Sequence, residues 1–155
     1  MFCEHGIDRS RIKLLPYVKS PTGHLDSYNK IDIALDPFPY NGTTTSCEAL
    51  WMGVPFITKV GDRHCARVGM SLLKSVSLQE FIVESDEEYI SKAIELSQDP
   101  NRLNKIKHDL RDKMLKSSIC DKDAFCNQFS DAIRKMWSRW CQDFKSKHSD
   151  EENSK

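Results

Sequence analysis

Three consecutive threonines and a serine, Thr43–Ser46, follow Asn41-Gly42 and open a helix that the sequence predicts over Thr44–Met52. The first backbone N–H groups of a helix have no partner within it, and together with the positive end of the helix dipole they favour a phosphate. Hydroxyl groups beside them can donate further hydrogen bonds. The residue types and their spacing therefore predict an anion-binding loop, whose contacts would be Gly42, Thr43, Thr44 and Thr45.

A second interpretation of the same residues is helix initiation alone. Thr45 and Glu48 fit the S/T-x-x-E pattern of a capping box, which by itself would explain both side chains. For Glu48 the sequence leaves the two interpretations open. A glycine followed by three threonines exceeds what one cap requires, so for the loop as a whole phosphate binding is favoured.

The elements around this loop predict a parallel α/β sheet. The apolar run Ile31–Leu35 is typical of a buried strand, and Val54–Thr58 is the next strand after the helix, which makes a βαβ unit. Two further strands are predicted at Arg11–Pro16 and Phe81–Val83. Ligands of open α/β sheets bind beyond the carboxyl ends of the strands, so the loops after Leu15, Leu35 and Thr58 should converge on one crevice.

The third of these loops carries two arginines. Arg63 and Arg67 begin a helix predicted over Arg63–Leu73 and could act as counter-charges for a phosphate. The alternative is an ordinary helix start, with Asp62 as its N-cap and with solvated arginines. This alternative is favoured for Arg67, while Arg63 is kept as possible support for a phosphate.

Long amphipathic helices are predicted to follow. The first two span about Ser85–Ser97 and Arg102–Lys116, and apolar residues at helical spacing place the second against the core. A last helix begins near Asp121 and has an aromatic face, which is too large for so small a domain to bury alone. Its exposure would mark an interface with another part of the protein. That face comprises Phe125, Phe129, Ile133, Trp137, Trp140 and Phe144.

The segment Asp32–Leu73 resembles the catalytic C-terminal domain of the protein O-linked N-acetylglucosamine transferase and SPINDLY family, and the bacterial-type members most closely. Weaker similarity extends from Arg11 through the last long helix. The stretches that carry the resemblance are Asp32–Gly42, Thr43–Thr45, Cys47–Pro55, Gly61–Arg63, Arg67–Gly69 and Ser71–Leu73.

The resemblance implies a fold and a set of contacts. This region would be the Rossmann-like, nucleotide-sugar-binding half of a GT-B glycosyltransferase, with the threonine loop on the donor diphosphate. Glu48 would contact the ribose, and His24 would lie near the base. The donor would be UDP-N-acetylglucosamine or GDP-fucose, with no metal and no cofactor. The whole enzyme would be an inverting protein O-glycosyltransferase acting on serine or threonine.

The resemblance also implies that the chain is a fragment. Residues 1–144 would form the C-terminal part of the glycosyltransferase domain, and 145–155, polar and of mixed charge, are predicted to be disordered. The N-terminal catalytic half, the helical repeats of the family and the region that binds the acceptor protein would be missing. No catalytic residue can then be assigned, and the chain alone is expected to be inactive.

Composition narrows the partners and the location. The chain has 23 basic and 23 acidic side chains, so a nucleic-acid partner is not expected. Six cysteines without a C-x-x-C pair, and no signal peptide, predict reduced thiols in a cytoplasmic protein. No apolar run is long enough to span a membrane. Two alternatives remain beside the glycosyltransferase: a non-catalytic module that binds a nucleotide or docks a partner, and another Rossmann enzyme such as an epimerase, against which the threonine loop argues.

Overall fold

The computed structural model describes the backbone of residues 2–152, and their side chains except at Pro21 and 145–152. In this part of the chain three short strands alternate with the first three α-helices, and three further helices follow the last strand. The strands are β1 (Ala34–Leu35), β2 (Phe56–Lys59) and β3 (Ile82–Val83). The helices are α1 (Pro21–Asp26), α2 (Thr44–Trp51), α3 (Val68–Ser75), α4 (Asp86–Ser97), α5 (Pro100–Leu115) and α6 (Lys122–Glu152).

The three strands form a parallel sheet in the order β1-β2-β3. Helix α2 connects β1 to β2, and α3 lies in the connection from β2 to β3, because parallel neighbours need a crossover. The predicted βαβ unit is confirmed. The paired residues are Ala34 with Phe56, Leu35 with Ile57, Thr58 with Ile82, and Lys59 with Val83.

The hydrophobic core lies where α3 and α4 pack on β2 and where α5 packs on α2 and α4. As predicted, the apolar stripe of α5 is part of it, with Leu110 fully buried. The largest side chains that are completely enclosed come from all of these elements. They include Leu50, Phe56, Ile57, Leu73, Leu78, Phe81, Leu96 and Leu110.

Two helices begin at caps that the sequence shows. The hydroxyl of Ser85 accepts the Glu88 N–H at 3.1 Å, and the Glu88 carboxylate accepts the Ser85 N–H at 3.3 Å, which is a complete capping box. The Asp99 carboxylate accepts the Arg102 N–H at 3.0 Å, and Pro100 is the first residue of α5. These local bonds explain where α4 and α5 begin. Helix α4 begins where the sequence predicts, whereas α5 begins two residues before the predicted Arg102, because Asp99 caps it and a proline is tolerated in the first turn.

The strand predicted at Arg11–Pro16 is not formed, so that prediction is wrong. A 3-10 turn occupies Arg9–Arg11, and the backbone of residues 13–19 makes no hydrogen bond to other main-chain groups within the described residues. Leu14 is 89% exposed. A strand needs a neighbour that completes its hydrogen bonds, and no described strand pairs with this segment.

Helix α6 is long and leaves a row of large apolar side chains exposed, which we name the α6 stripe. Its rings stack in sequence, with centroids 5.9 Å apart for Phe125 and Phe129 and 5.2 Å apart for Trp137 and Trp140. Burial inside this domain is therefore not the role of the stripe. The members are Phe125, Phe129, Ile133, Met136, Trp137, Trp140 and Phe144, each about half exposed or more.

The backbone of α6 continues as helix to Glu152, into the segment 145–155 for which the sequence predicts disorder. Lys, Ser, Asp and Glu residues there are compatible with a helix that is already nucleated. Residues 153–155 lie outside the described residues. No helix among the described residues combines the length and the apolar character that crossing a bilayer requires.

Candidate functional site

The predicted anion-binding loop lies at the start of α2, directly after the carboxyl end of β1. Thr43 is the N-cap residue, and its side chain makes no capping hydrogen bond. Thr43, Thr44 and Thr45 are all exposed, and their hydroxyls make no hydrogen bond within the described part of the chain. The first turn of α2 therefore offers unpaired amides and free hydroxyls together.

Glu48 does not close a capping box. The N-cap is Thr43 rather than Thr45, so the helix-initiation interpretation of this pair is wrong. The Glu48 carboxylate instead points to the segment before β1. Its Oε2 atom lies 3.0 Å from Nε2 of His24 and accepts the Tyr28 hydroxyl at 3.2 Å. The structure thus brings together Glu48 and His24, the two residues that the resemblance places on the nucleoside.

Tyr28 is the third member of this group, and sequence reasoning missed it. Its hydroxyl lies 3.2 Å from the carbonyl oxygen of Thr45 as well as from Glu48, and its ring meets His24 edge-on at 5.7 Å. Burial, then the hydrogen bond to Glu48 and the charge of that residue, raise the pKa of Tyr28 to about 12. The hydroxyl therefore stays protonated and acts as a donor at neutral pH.

Asp36 fixes the position of the threonine loop through hydrogen bonds to its carboxylate. This carboxylate is 4% exposed; Oδ1 accepts the Gly42 N–H at 2.8 Å and Oδ2 accepts the Thr58 hydroxyl at 2.7 Å. Burial raises the pKa of Asp36, against hydrogen bonds from Thr58, Gly42 and Ser46 that lower it. The Gly42 amide is therefore already hydrogen-bonded to Asp36 and is not available to a ligand. Gly42 contributes to the loop through its lack of a side chain.

A side chain at Gly42 would collide with the first turn of α2. A Cβ there would lie 2.5 Å from the Ser46 hydroxyl oxygen and 2.7 Å from that of Thr45. Any side chain would therefore displace the hydroxyls that begin α2. Glycine is needed at this position because the backbone passes close to the first turn of the helix.

Asn41 joins this loop to the third one. It is 1% exposed; its N–H donates to the Cys65 carbonyl at 2.9 Å, and its Oδ1 accepts the Gly69 N–H at 3.2 Å. The Gly69 amide is consequently not free for a ligand. The loops after β1 and β2 are adjacent, as predicted from the parallel sheet.

The loop after β2 has fewer groups available to bind a phosphate than the sequence predicts. A 3-10 turn at His64–Ala66 precedes α3, and the N-cap of α3 is Arg67, so the prediction of Asp62 as cap is wrong. Arg67 donates to the Gly61 carbonyl at 3.0 Å, a structural contact. Arg63 is exposed and its side chain makes no hydrogen bond within the described residues, and it stays a possible support for a phosphate.

Two cavities share Tyr28 as a lining residue. The first, of about 200 Å³, lies between the end of β1 and the start of α2 and is lined by Asp36, Thr45 and Ser46 among others. The second, of about 260 Å³, lies beneath the segment Leu15–Val18 and is lined by His24. Tyr28 lines both. No group of His, Cys, Asp or Glu side chains in the described residues is arranged to hold a metal ion.

A family model described as glycosyl transferase family 41 matches residues 1–129. The chain belongs to this family. It is 41% identical over 138 residues to a Hordeum vulgare protein named as a probable UDP-N-acetylglucosamine–peptide N-acetylglucosaminyltransferase SPINDLY, and this match covers 89% of the chain and 15% of that protein. A Caenorhabditis elegans UDP-N-acetylglucosamine–peptide N-acetylglucosaminyltransferase is 28% identical, over 88% of the chain and 12% of its own length.

A solved structure agrees with these matches. A mutant of the O-GlcNAc transferase of Thermobaculum terrenum superposes on 90% of the chain with a TM-score of 0.81 and 41% sequence identity, and the match covers 26% of that protein. The family resemblance and the predicted fold class, a Rossmann-like parallel α/β part of a GT-B glycosyltransferase, are therefore confirmed. The family 41 chain described here spans only a small part of the length of the relatives it matches.

Proposed function

We propose that this family 41 chain is the donor-binding portion of a protein O-glycosyltransferase, which transfers N-acetylglucosamine or fucose from a nucleotide sugar to serine or threonine. One observation carries the proposal: the first turn of α2 offers free hydroxyls and helix amides at Thr43–Thr45, and Thr45 lines the cavity of about 200 Å³ at the end of β1. Negative charge grows on a departing diphosphate, and fixed amide and hydroxyl donors stabilise such charge.

The rest of the donor fits the remaining contacts. Glu48 would accept a ribose hydroxyl, and His24 would lie beside the base in the second cavity. The names of the relatives, which specify UDP-N-acetylglucosamine, favour that donor over GDP-fucose. Arg63 would support the diphosphate from the neighbouring loop.

In this function the chain described here would bind the donor, and other parts of the protein would carry out the transfer. The catalytic base, the acceptor-binding surface and the helical repeats would lie outside these 155 residues, and transfer would proceed with inversion and without a metal. This chain would then bind the donor without transferring its sugar. The small share of each relative that the chain covers supports this division.

The diphosphate contact can be tested by replacing both Thr44 and Thr45 with alanine. We expect affinity for UDP-N-acetylglucosamine to fall roughly 10- to 100-fold, because two hydrogen bonds to a charged group are lost. Isothermal titration calorimetry of both chains measures the change. The matched control, Ser91→Ala with Ser97→Ala, removes two exposed hydroxyls from α4 and should leave the affinity unchanged. Equal affinities for the wild type and the threonine variant would reject the phosphate contact.

A second function, a partner-docking module without catalysis, is favoured by the α6 stripe. Rows of large exposed apolar side chains like this one mark interaction surfaces in soluble proteins. For this function we expect the chain to self-associate even in saturating nucleotide, with no rise of melting temperature on nucleotide addition. Analytical ultracentrifugation and a thermal melt decide between the two functions.

The α6 stripe itself predicts a specific loss. Trp137→Lys with Trp140→Lys should abolish association of the chain, because two stacked rings leave the exposed face and two charges enter it. Sedimentation across a concentration series measures the effect. Lys135→Ala, on the same helix, is the control, and association should survive it. If the tryptophan variant associates as strongly as the wild type, the stripe is not the docking surface.

A further inference from the structure

Tyr28 occupies the boundary between the two cavities. It belongs to a 3-10 turn, Ser27–Lys30, that leads from α1 towards β1, and it is half-buried. It lines the cavity of about 200 Å³ together with Thr45, and the cavity of about 260 Å³ together with His24. Among the described residues, no other one lines both of these cavities.

The hydroxyl of Tyr28 lies within reach of two acceptors on α2. It is 3.2 Å from Oε2 of Glu48 and 3.2 Å from the main-chain oxygen of Thr45. One hydroxyl proton therefore ties the segment before β1 to the first turn of the helix. With His24 at 3.0 Å, the same Glu48 oxygen is held from two directions.

The other oxygen of Glu48 is left over. Oε1 makes no hydrogen bond within the described part of the chain, although the carboxylate is held firmly through Oε2. A carboxylate with one oxygen fixed and one oxygen free is set to accept a hydroxyl from a ligand. Both contacts that hold this carboxylate, from Tyr28 and from His24, are made to Oε2.

We propose that Tyr28 is a positioning residue which aims Glu48 at the sugar hydroxyls of a nucleoside, and so separates nucleoside recognition from diphosphate recognition. This inference rests on the proposed function and assigns a residue to the same site. Tyr28 acts through Glu48 and need not touch the diphosphate. Removing its hydroxyl should therefore weaken a nucleoside diphosphate and spare a bare diphosphate.

The test compares UDP, GDP and inorganic pyrophosphate by calorimetric titration against the wild type and Tyr28→Phe. We expect about a five- to tenfold weaker affinity for the nucleoside diphosphate that binds better, as for one lost hydrogen bond to a charged group. Affinity for pyrophosphate should change less than about twofold, since its contacts are the amides and hydroxyls of the threonine loop. A merely structural role would weaken both ligands alike.

Tyr89→Phe is the matched control. The Tyr89 hydroxyl also donates to a main-chain oxygen, that of Asp36 at 2.9 Å, and the pKa of Tyr89 is likewise raised to about 12, by burial first and then by the charge of Asp36. Losing this hydroxyl should leave the ratio of nucleotide affinity to pyrophosphate affinity unchanged. A ratio that falls equally in both tyrosine variants would overturn the inference.

A double-mutant cycle tests the route through Glu48. In a Glu48→Ala background, Tyr28→Phe should have no further effect on nucleotide affinity, because the group it positions is gone. An undiminished effect there, or equal losses of pyrophosphate and nucleotide in Tyr28→Phe, would overturn the inference while leaving donor binding intact. If the wild type binds none of the three ligands, the proposed function fails, and this inference fails with it.

Discussion

Replacing Gly69 with alanine should destabilise the fold by about 3 to 5 kcal/mol, the sum of overpacking and of damaged hydrogen bonds to a buried carboxylate. A Cβ at this position would lie 2.4 Å from Oδ2 of Asp36 and 2.4 Å from the Thr58 hydroxyl oxygen. Both atoms are buried, and the Thr58 hydroxyl donates a hydrogen bond of 2.7 Å to this carboxylate oxygen. Neither atom can therefore move away from a Cβ without breaking that hydrogen bond.

The measurement is urea-induced unfolding followed by circular dichroism, with the midpoint and the slope fitted for each chain. Ser71→Ala, in the same helix and exposed, is the control and should change the free energy of unfolding by less than about 1 kcal/mol. An unfolding midpoint for Gly69→Ala equal to that of the wild type would show that α3 does not approach Asp36 as described. A loss of this size is a large fraction of the stability of a small domain.

The unit from β1 to β2 could be predicted from the sequence because its signals are local. The apolar runs, Asn41-Gly42 and the threonines all act within a few residues of where they stand. Gly53 ends α2 at a φ of 80°, which only glycine adopts readily, and a Cβ there would lie 2.9 Å from the Lys107 carbonyl oxygen. The start of α4 could be predicted for the same reason, because its capping box is formed by Ser85 and Glu88 within the segment itself.

The prediction of a strand at Arg11–Pro16 was wrong because a strand depends on a partner that is not local. An apolar run ended by a proline is compatible with a strand, but a strand exists only where a neighbour pairs with it. That neighbour cannot be read from the run itself. Leu14 and Leu15 are exposed here, so the segment also lacks the burial that stabilises a strand.

The side chains that organise the site were missed because their partners are far away in sequence. Asp36 meets Thr58 across 22 residues, Asn41 meets Gly69 across 28, and Tyr28 meets Glu48 across 20. The residues alone predicted the threonine loop, whose donors are consecutive, whereas Glu48 and His24 were placed on the nucleoside by the family resemblance. One signal for Asp36 was available: a carboxylate directly after a buried strand stands at the carboxyl end of the sheet, where ligands bind.

Asp36 connects four elements through its own atoms. Its carboxylate meets the loop before α2 at Gly42 and strand β2 at Thr58, it contacts α3 at Gly69, and its main-chain oxygen accepts the hydroxyl of Tyr89 from α4. The threonine loop is thus held by the same residue that joins the sheet to two helices. Stability of the domain and geometry of the candidate site should therefore change together when Asp36 changes.

Asp36→Asn should cost about 2 to 4 kcal/mol of stability at neutral pH, because an amide nitrogen replaces an acceptor and faces a buried donor. Denaturant unfolding measures this loss. Asp62→Asn is the control: Asp62 is exposed and makes no hydrogen bond within the described residues, so a change below about 0.5 kcal/mol is expected. Nucleotide affinity of Asp36→Asn should fall as well, since Gly42 and the start of α2 lose their anchor.

The stability lost in Asp36→Asn should depend on pH, and the direction of that dependence follows from the direction of the Asp36 pKa shift. Burial raises the pKa of Asp36 above its ordinary value of 3.8, so the folded chain takes up this proton more readily than the unfolded chain. The resulting stabilisation is complete below 3.8 and is lost as the pH rises through the folded pKa. The asparagine variant has no such proton. The free energy of unfolding of the wild type minus that of the variant should therefore decrease across this window and become constant above it. A difference that stays flat, or that increases with pH, would mean that hydrogen bonds from Thr58, Gly42 and Ser46 outweigh burial at Asp36.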